Sequence, residues 1–126
     1  MKSRRRNKKW KSEKDMYPTV QRSLAQRFPK REGWTIKEQP IGKSGTYRPD
    51  FIVWKKTNNC KKVIIVEVKN VEILTYEHIQ QVNRYSQALS GKCVRIIKKI
   101  IYVPKGCDIS ALDAVQTSVP FEVYKI

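Results

Sequence analysis

Residues 48–69 read RPDFIVWKKTNNCKKVIIVEVK. The run splits at Thr57-Asn58-Asn59, a turn-forming cluster. Residues 48–54 before it are rich in β-branched and aromatic side chains and open on a proline, which suits the first residue of a strand. Residues 62–69 after it carry apolar side chains on both alternations, as a central strand covered on both faces does. If the two strands form a hairpin that turns around Asn58-Asn59, a symmetric register sets Asp50 opposite Glu67. Opposed residues point to the same face, with Cβ atoms about 4.5–5.5 Å apart. Lys69, two residues further on, shares that face. A slip of one residue would separate them.

The remaining elements follow from periodicity. Residues 12–28 place Met16, Tyr17, Val20, Leu24 and Phe28 at helical spacing. Pro18 belongs either in the first turn of that helix or at a kink in a longer one, and Pro29 closes it. Residues 33–39 alternate as a strand, and 41–46 form a loop with two glycines and a lysine. Thr75 is placed to cap a helix over 76–89, with Ile79, Val82, Tyr85 and Leu89 along one side and Gly91 beyond its end. Residues 96–103 form a fourth strand, 108–115 a short helix, and 121–124 a last strand at an edge. This order predicts an α/β fold, a mixed central β-sheet flanked by helices with an α-β-β-β-α-β core. Residues 1–11 read as a basic flexible tail and 12–126 as one domain, a length able to bury a core without disulfides.

The charge balance points to a polyanion. Lysine and arginine total 27 against 11 acids, a formal net charge of +16. Such an excess repels itself in a compact domain, and nucleic acid is the first partner that answers it. Arg4, Arg5 and Arg6 in the tail suit phosphate contact, with Trp10 as a stacking side chain. Lys43 and Ser44 in the glycine loop, Arg48 beside Asp50, and Arg84 on the second helix are further phosphate contacts. No apolar run approaches the roughly 20 residues of a membrane span, and no secretory leader is visible. Cys60, Cys93 and Cys107 are odd in number and widely spaced. They fit no zinc pattern and suit reduced thiols in a cytoplasmic, intracellular setting.

Two carboxylates as close as Asp50 and Glu67 repel unless a cation lies between them. Hard oxygen ligands suit Mg2+ or Mn2+, with the Val68 carbonyl as a further ligand. Lys69 then orients or deprotonates an attacking water, or stabilises a pentavalent phosphorus. The bland reading is that charges mark where strands leave the core, and for Glu67-Val68-Lys69 alone that reading is the better one. His78, three residues after Thr75, serves the helix start rather than catalysis.

Pro49-Asp50 followed by Glu67-Val68-Lys69, in this element order, resembles the PD-(D/E)XK nuclease superfamily, the restriction-endonuclease-like fold. The resemblance covers roughly residues 13–103. It implies metal-binding roles for Asp50 and Glu67 and a water-assisting role for Lys69. It also nominates Glu13 as a further metal ligand from the first helix. Gln81 and Tyr85 match the Q-x-x-x-Y of RecB-like members, where they would act at the catalytic site. The alternative for this pair is Tyr85 in the core and Gln81 on the surface. The implied function is a Mg2+- or Mn2+-dependent deoxyribonuclease on double-stranded or branched DNA. The domain's size and basic character are similar to those of the archaeal Holliday-junction resolvases, which implies junction or flap cutting by a homodimer. A RecB-like strand-processing nuclease and a non-catalytic nucleic-acid-binding module of the same fold are the alternatives.

Overall fold

The computed structural model describes residues 10–38, 49–89, 91–115 and 120–126. Helix α1 spans Glu13–Arg27. Strands β1 (Thr35–Glu38), β2 (Phe51–Thr57) and β3 (Cys60–Val68) follow. Helix α2 spans Tyr76–Leu89, and strands β4 (Val94–Val103) and β5 (Phe121–Lys125) complete the chain. The five strands lie in the sheet in sequence order. β1, β2 and β3 are mutually antiparallel, whereas β3–β4 and β4–β5 are parallel, so the sheet is mixed as the element order predicts. The predicted loop at 41–46 and residues Arg4, Arg5, Arg6, Lys43, Ser44 and Arg48 lie outside the described residues. Among those described, no helix is long and apolar enough to cross a membrane.

α1 begins in a capping box. Ser12 Oγ accepts from the Asp15 amide at 3.3 Å, and Asp15 Oδ2 accepts from the Ser12 amide at 3.2 Å. The helix runs through Pro18, whose ring lies on the exposed side, so the missing amide costs one intrahelical bond and no buried donor. α2 uses a related device. The Thr75 amide donates to His78 Nδ1, and the His78 amide donates to Thr75 Oγ1. His78 therefore serves the helix start, as the sequence suggests. Between Thr57 and Cys60 the hairpin turns through two residues, with Asn58 in the left-handed region at φ 53° that asparagine tolerates. The segment after β4 is tighter than expected. A 3-10 turn over Ser110–Ala114 replaces the short helix at 108–115.

Each helix covers one face of the sheet. Met16, Val20 and Leu24 of α1 pack on Phe51, Val53, Ile64, Val66, Val68, Ile100 and Tyr102. Ile79, Val82 and Tyr85 of α2 pack on Val63, Ile65, Ile96, Ile101 and Val103. β3 alternates strictly between the two cores, which is why its sequence is apolar on both sides. β4 needs a correction to do the same. The register against β3 shifts from Val63↔Ile96 to Ile64↔Lys98, leaving Ile97 as an extra bulged residue. The bulge inverts the parity of β4, so that Ile96 and Ile101 both face α2.

Trp10 belongs to the folded part rather than to a free tail. It packs against the α1 core, and its indole N–H donates to the Ile126 carbonyl at 3.3 Å. The stacking role expected of Trp10 is replaced by a structural one.

Leu24 is fully buried on α1, whereas Gln26 on the same helix is exposed. Leu24→Ala should lower unfolding free energy by about 2–5 kcal/mol in urea titrations, through lost burial and a residual cavity. Gln26→Ala should change it by no more than about 0.5 kcal/mol. Equal effects would contradict the assignment of α1's inner face.

Candidate active site

The ladder between β2 and β3 runs from Thr57↔Cys60 at the turn to Phe51↔Val66 at the open end. One step further, Asp50 stands opposite Glu67. Pro49 has no amide with which to continue the ladder, so two carboxylates finish it instead. The Asp50 amide donates to Glu67 Oε1 at 3.1 Å, and the Val68 amide donates to Asp50 Oδ2 at 2.7 Å. Each acid thus satisfies a main-chain donor on the opposite strand.

Both helices contribute hydroxyls to these acids. From α1, the Tyr17 hydroxyl donates to Asp50 Oδ1. From α2, the Tyr85 hydroxyl donates to Glu67. Burial, followed by the Asp50 hydrogen bond, pushes the Tyr17 phenol well above its ordinary range. Burial and the charge of Glu67 do the same to Tyr85. Neither phenol is poised to lose a proton at neutral pH. Their role is to hold the carboxyl groups.

Glu67 is 3% exposed. Burial, the adjacent charge of Asp50 and a hydrogen bond to its carboxylate push the Glu67 carboxyl up to about 9, against the opposing pull of Lys69. Glu67 accordingly keeps its proton at neutral pH. Lys69 Nζ lies 3.7 Å from Glu67 Oε2 and donates to Gln81 Oε1 at 2.8 Å. Glu13, in the first turn of α1, is half-buried near the same cluster. Its carboxyl is raised by burial, lowered by Lys69, raised by Asp50, and accepts from the Asn70 main chain.

The donor types fit a hard divalent cation. A carboxyl pushed up by burial and a neighbouring carboxylate marks a position of negative potential, which a cation relieves. Val68 supplies a third oxygen. Within a strand the amide and carbonyl of one residue point the same way, and the Val68 amide points at Asp50. In the arrangement described, the Asp50 oxygens are engaged by Tyr17 and Val68. Among the described residues no three or more His, Cys, Asp or Glu side chains are gathered so as to hold a metal. Each Asp50 oxygen accepts one of these bonds and keeps a second lone pair with which it could meet a cation.

Asp50, Glu67, Lys69, Gln81, Tyr85, Glu13 and the Val68 main chain thus lie together at one end of the sheet. Tyr85 has its ring in the α2 core and its hydroxyl on Glu67. Arg84 is exposed on α2. Two participants were not anticipated. Tyr17 follows Glu13 by four positions, a spacing that puts both on one helix face. Asn70 binds Glu13 through its main chain, and its side-chain amide donates to the Trp10 carbonyl at 3.3 Å.

A family model described as the PD-(D/E)XK nuclease superfamily matches residues 34–98. The match runs from the start of β1 into β4 and includes Asp50, Glu67, Lys69, Gln81 and Tyr85, but not Glu13. No curated protein and no solved structure matches the chain.

The Glu67 proton has a measurable consequence. A carboxyl held at about 9 in the folded chain and near 4.5 when unfolded takes up a proton on folding. Its stabilising contribution is complete below about pH 4.5 and is lost as pH rises toward 9. Glu67→Gln keeps the neutral, hydrogen-bonded form at every pH. Its thermal midpoint should match the parent's near pH 4.5 and exceed it by several degrees at pH 9. A difference that does not grow with pH would show that Glu67 carries no such proton.

Proposed function

The chain belongs to the PD-(D/E)XK nuclease superfamily, and from that premise we propose that it is a divalent-metal-dependent endonuclease that hydrolyses DNA phosphodiester bonds. The observation that carries this reading is the opposed pair Asp50 and Glu67, with Lys69 held beside it by Gln81. The net charge of +16 supports a polyanionic substrate.

In this reading Asp50, Glu67 and the Val68 carbonyl hold Mg2+ or Mn2+, with Glu13 reaching it from α1. A bound divalent cation would polarise a phosphate oxygen and lower the pKa of a water. Because Glu67 holds its proton tightly, rising pH would favour metal binding. Lys69 directs its ammonium group at the attacking water or at charge developing on the phosphate. Gln81 takes one of that group's hydrogen bonds and fixes its direction. Tyr85 steadies Glu67. Tyr17 orients the Asp50 carboxylate.

We assign the substrate preference to branched DNA, a junction or a flap. The described residues are taken up by the core fold. A symmetric junction has two scissile strands, so its resolution calls for two copies. The bond from Lys69 to Gln81 favours a second reading, a RecB-like strand-processing nuclease. That enzyme would require free DNA ends.

Supercoiled plasmid, linear duplex, single strands, a flap and a four-way junction, incubated with Mg2+ or Mn2+ and with chelator, separate these readings. The expected result is metal-dependent cutting of the junction or flap and no requirement for ends. Lys69→Ala should slow cutting by about 10²–10⁴-fold while leaving junction affinity in chelator near that of the parent. Asp50→Ala should weaken metal binding in calorimetry as well as abolish cutting. Cutting confined to linear DNA selects the strand-processing reading. Salt-sensitive binding without cutting of any substrate selects a non-catalytic binding module.

A further inference from the structure

At the opposite end of the β2–β3 hairpin from Asp50 lies a pair of thiols that the nuclease reading does not use. Seven strand residues separate the two ends, roughly 23 Å at the rise of an extended chain. β3 and β4 run parallel, and Lys61 pairs with Val94. Cys60 and Cys93, each one residue earlier, are therefore side by side where the two strands begin. The Lys61 amide donates to the Cys93 carbonyl at 2.8 Å, and the two thiols are hydrogen-bonded to each other. Neighbouring strands lie about 4.8 Å apart. That spacing falls within the Cα separation of about 4.4–6.8 Å that a disulfide spans. The strand spacing is thus compatible with a bond between them.

Their surroundings are cationic. The two cysteines share a cavity of about 460 Å3 with Lys61, Lys62, Lys92 and Arg95, and none of the described residues lining it is acidic. Cys93 is exposed and Cys60 half-buried, whereas Cys107 is buried far along the chain in the α2 core. The hydrogen bond that Cys60 donates to Cys93, more than burial, pushes the Cys60 thiol up, and Arg95 opposes this. Cys93 is thus the first thiol a reagent meets, and Cys60 the one waiting behind it.

We propose that Cys60 and Cys93 form an intramolecular disulfide by exchange with a small anionic disulfide, for which the cation-lined cavity is the docking site. The Cys93 thiolate attacks one sulfur of the reagent. A protein–reagent mixed disulfide forms, and one reagent thiolate leaves. The Cys60 thiolate then attacks the Cys93 sulfur, the Cys60–Cys93 bond forms, and the second reagent thiolate leaves. Two protein thiols are oxidised and one external disulfide is reduced. The two thiol protons end on the two departing thiolates. The product ties the segment that leaves α2 to the hairpin tip and so closes a loop through β3 and α2. Oxidation therefore raises thermal stability by constraining the unfolded chain.

The test uses the full chain, with glutathione disulfide as the anionic probe, 2-hydroxyethyl disulfide as the neutral one and cystamine as the cationic one. Each rate is referred to that reagent's reaction with an unstructured cysteine peptide. The expected product has lost two hydrogens, and peptide mapping joins Cys60 to Cys93. Referred rates should favour the anionic probe by about tenfold at low salt, an advantage that added salt and Lys92→Glu both shrink. Cys60→Ser should stop at a mixed disulfide on Cys93. The oxidised parent should melt several degrees higher than the reduced parent, a gain that reductant reverses and Cys93→Ser lacks. Stable adducts on both cysteines, a disulfide-linked dimer, or no reaction would each overturn the pairing. Equal referred rates for the three probes would overturn the docking site. Because DNA cutting is not a readout, the outcome is independent of the nuclease assignment.

Discussion

Two acids that each cap a main-chain amide of the opposite strand hold the working end of this protein together. The β2–β3 ladder must stop at Pro49, and the amides of Asp50 and Val68 would then be left without partners inside a buried region. Buried amides without partners are costly, so the side chains of Glu67 and Asp50 take the place of backbone carbonyls. That substitution brings two carboxyl groups within reach of each other, raises the Glu67 carboxyl, and draws a phenol from each helix. α1, α2 and the sheet consequently meet at one point. The same hydrogen bonds that finish the fold also gather its acids at one position.

The arrangement trades stability for chemistry. An acid as buried as Glu67 is tolerated because it is neutral and hydrogen-bonded, and Lys69 is restrained by Gln81 as well as by Glu67. Charging Glu67 would break part of this network, so the group's burial and its hydrogen bonds are set against its ionisation.

Much of this was legible in the sequence. The turn at Asn58-Asn59 leaves two residues between paired strands, which fixes the register and hence the opposition of Asp50 and Glu67. The doubly apolar 62–68 run identifies a strand covered on both sides, and Thr75 with His78 marks the start of α2. Other features were not legible, for physical reasons. The bulge at Ile97 leaves no mark in a run where every neighbour is Ile, Val or Lys, since either parity is compatible with an apolar strand. Tyr17 reads as one more core aromatic at helical spacing, and only the tertiary position of Asp50 gives its hydroxyl a partner. Trp10 sits among lysines and looks solvated, yet its ring completes a core whose other wall is the last residue of the chain. Local composition cannot report a contact made across more than a hundred residues.

That placement of Trp10 also fixes a tether. Its carbonyl is bound by Asn70, the neighbour of Lys69, so residues 1–9 join the fold beside the candidate catalytic lysine. At no more than about 3.5 Å per residue, nine residues reach roughly 30 Å at most. The anchor at Trp10 thus ties the point where the described chain begins to the strand end that carries Lys69.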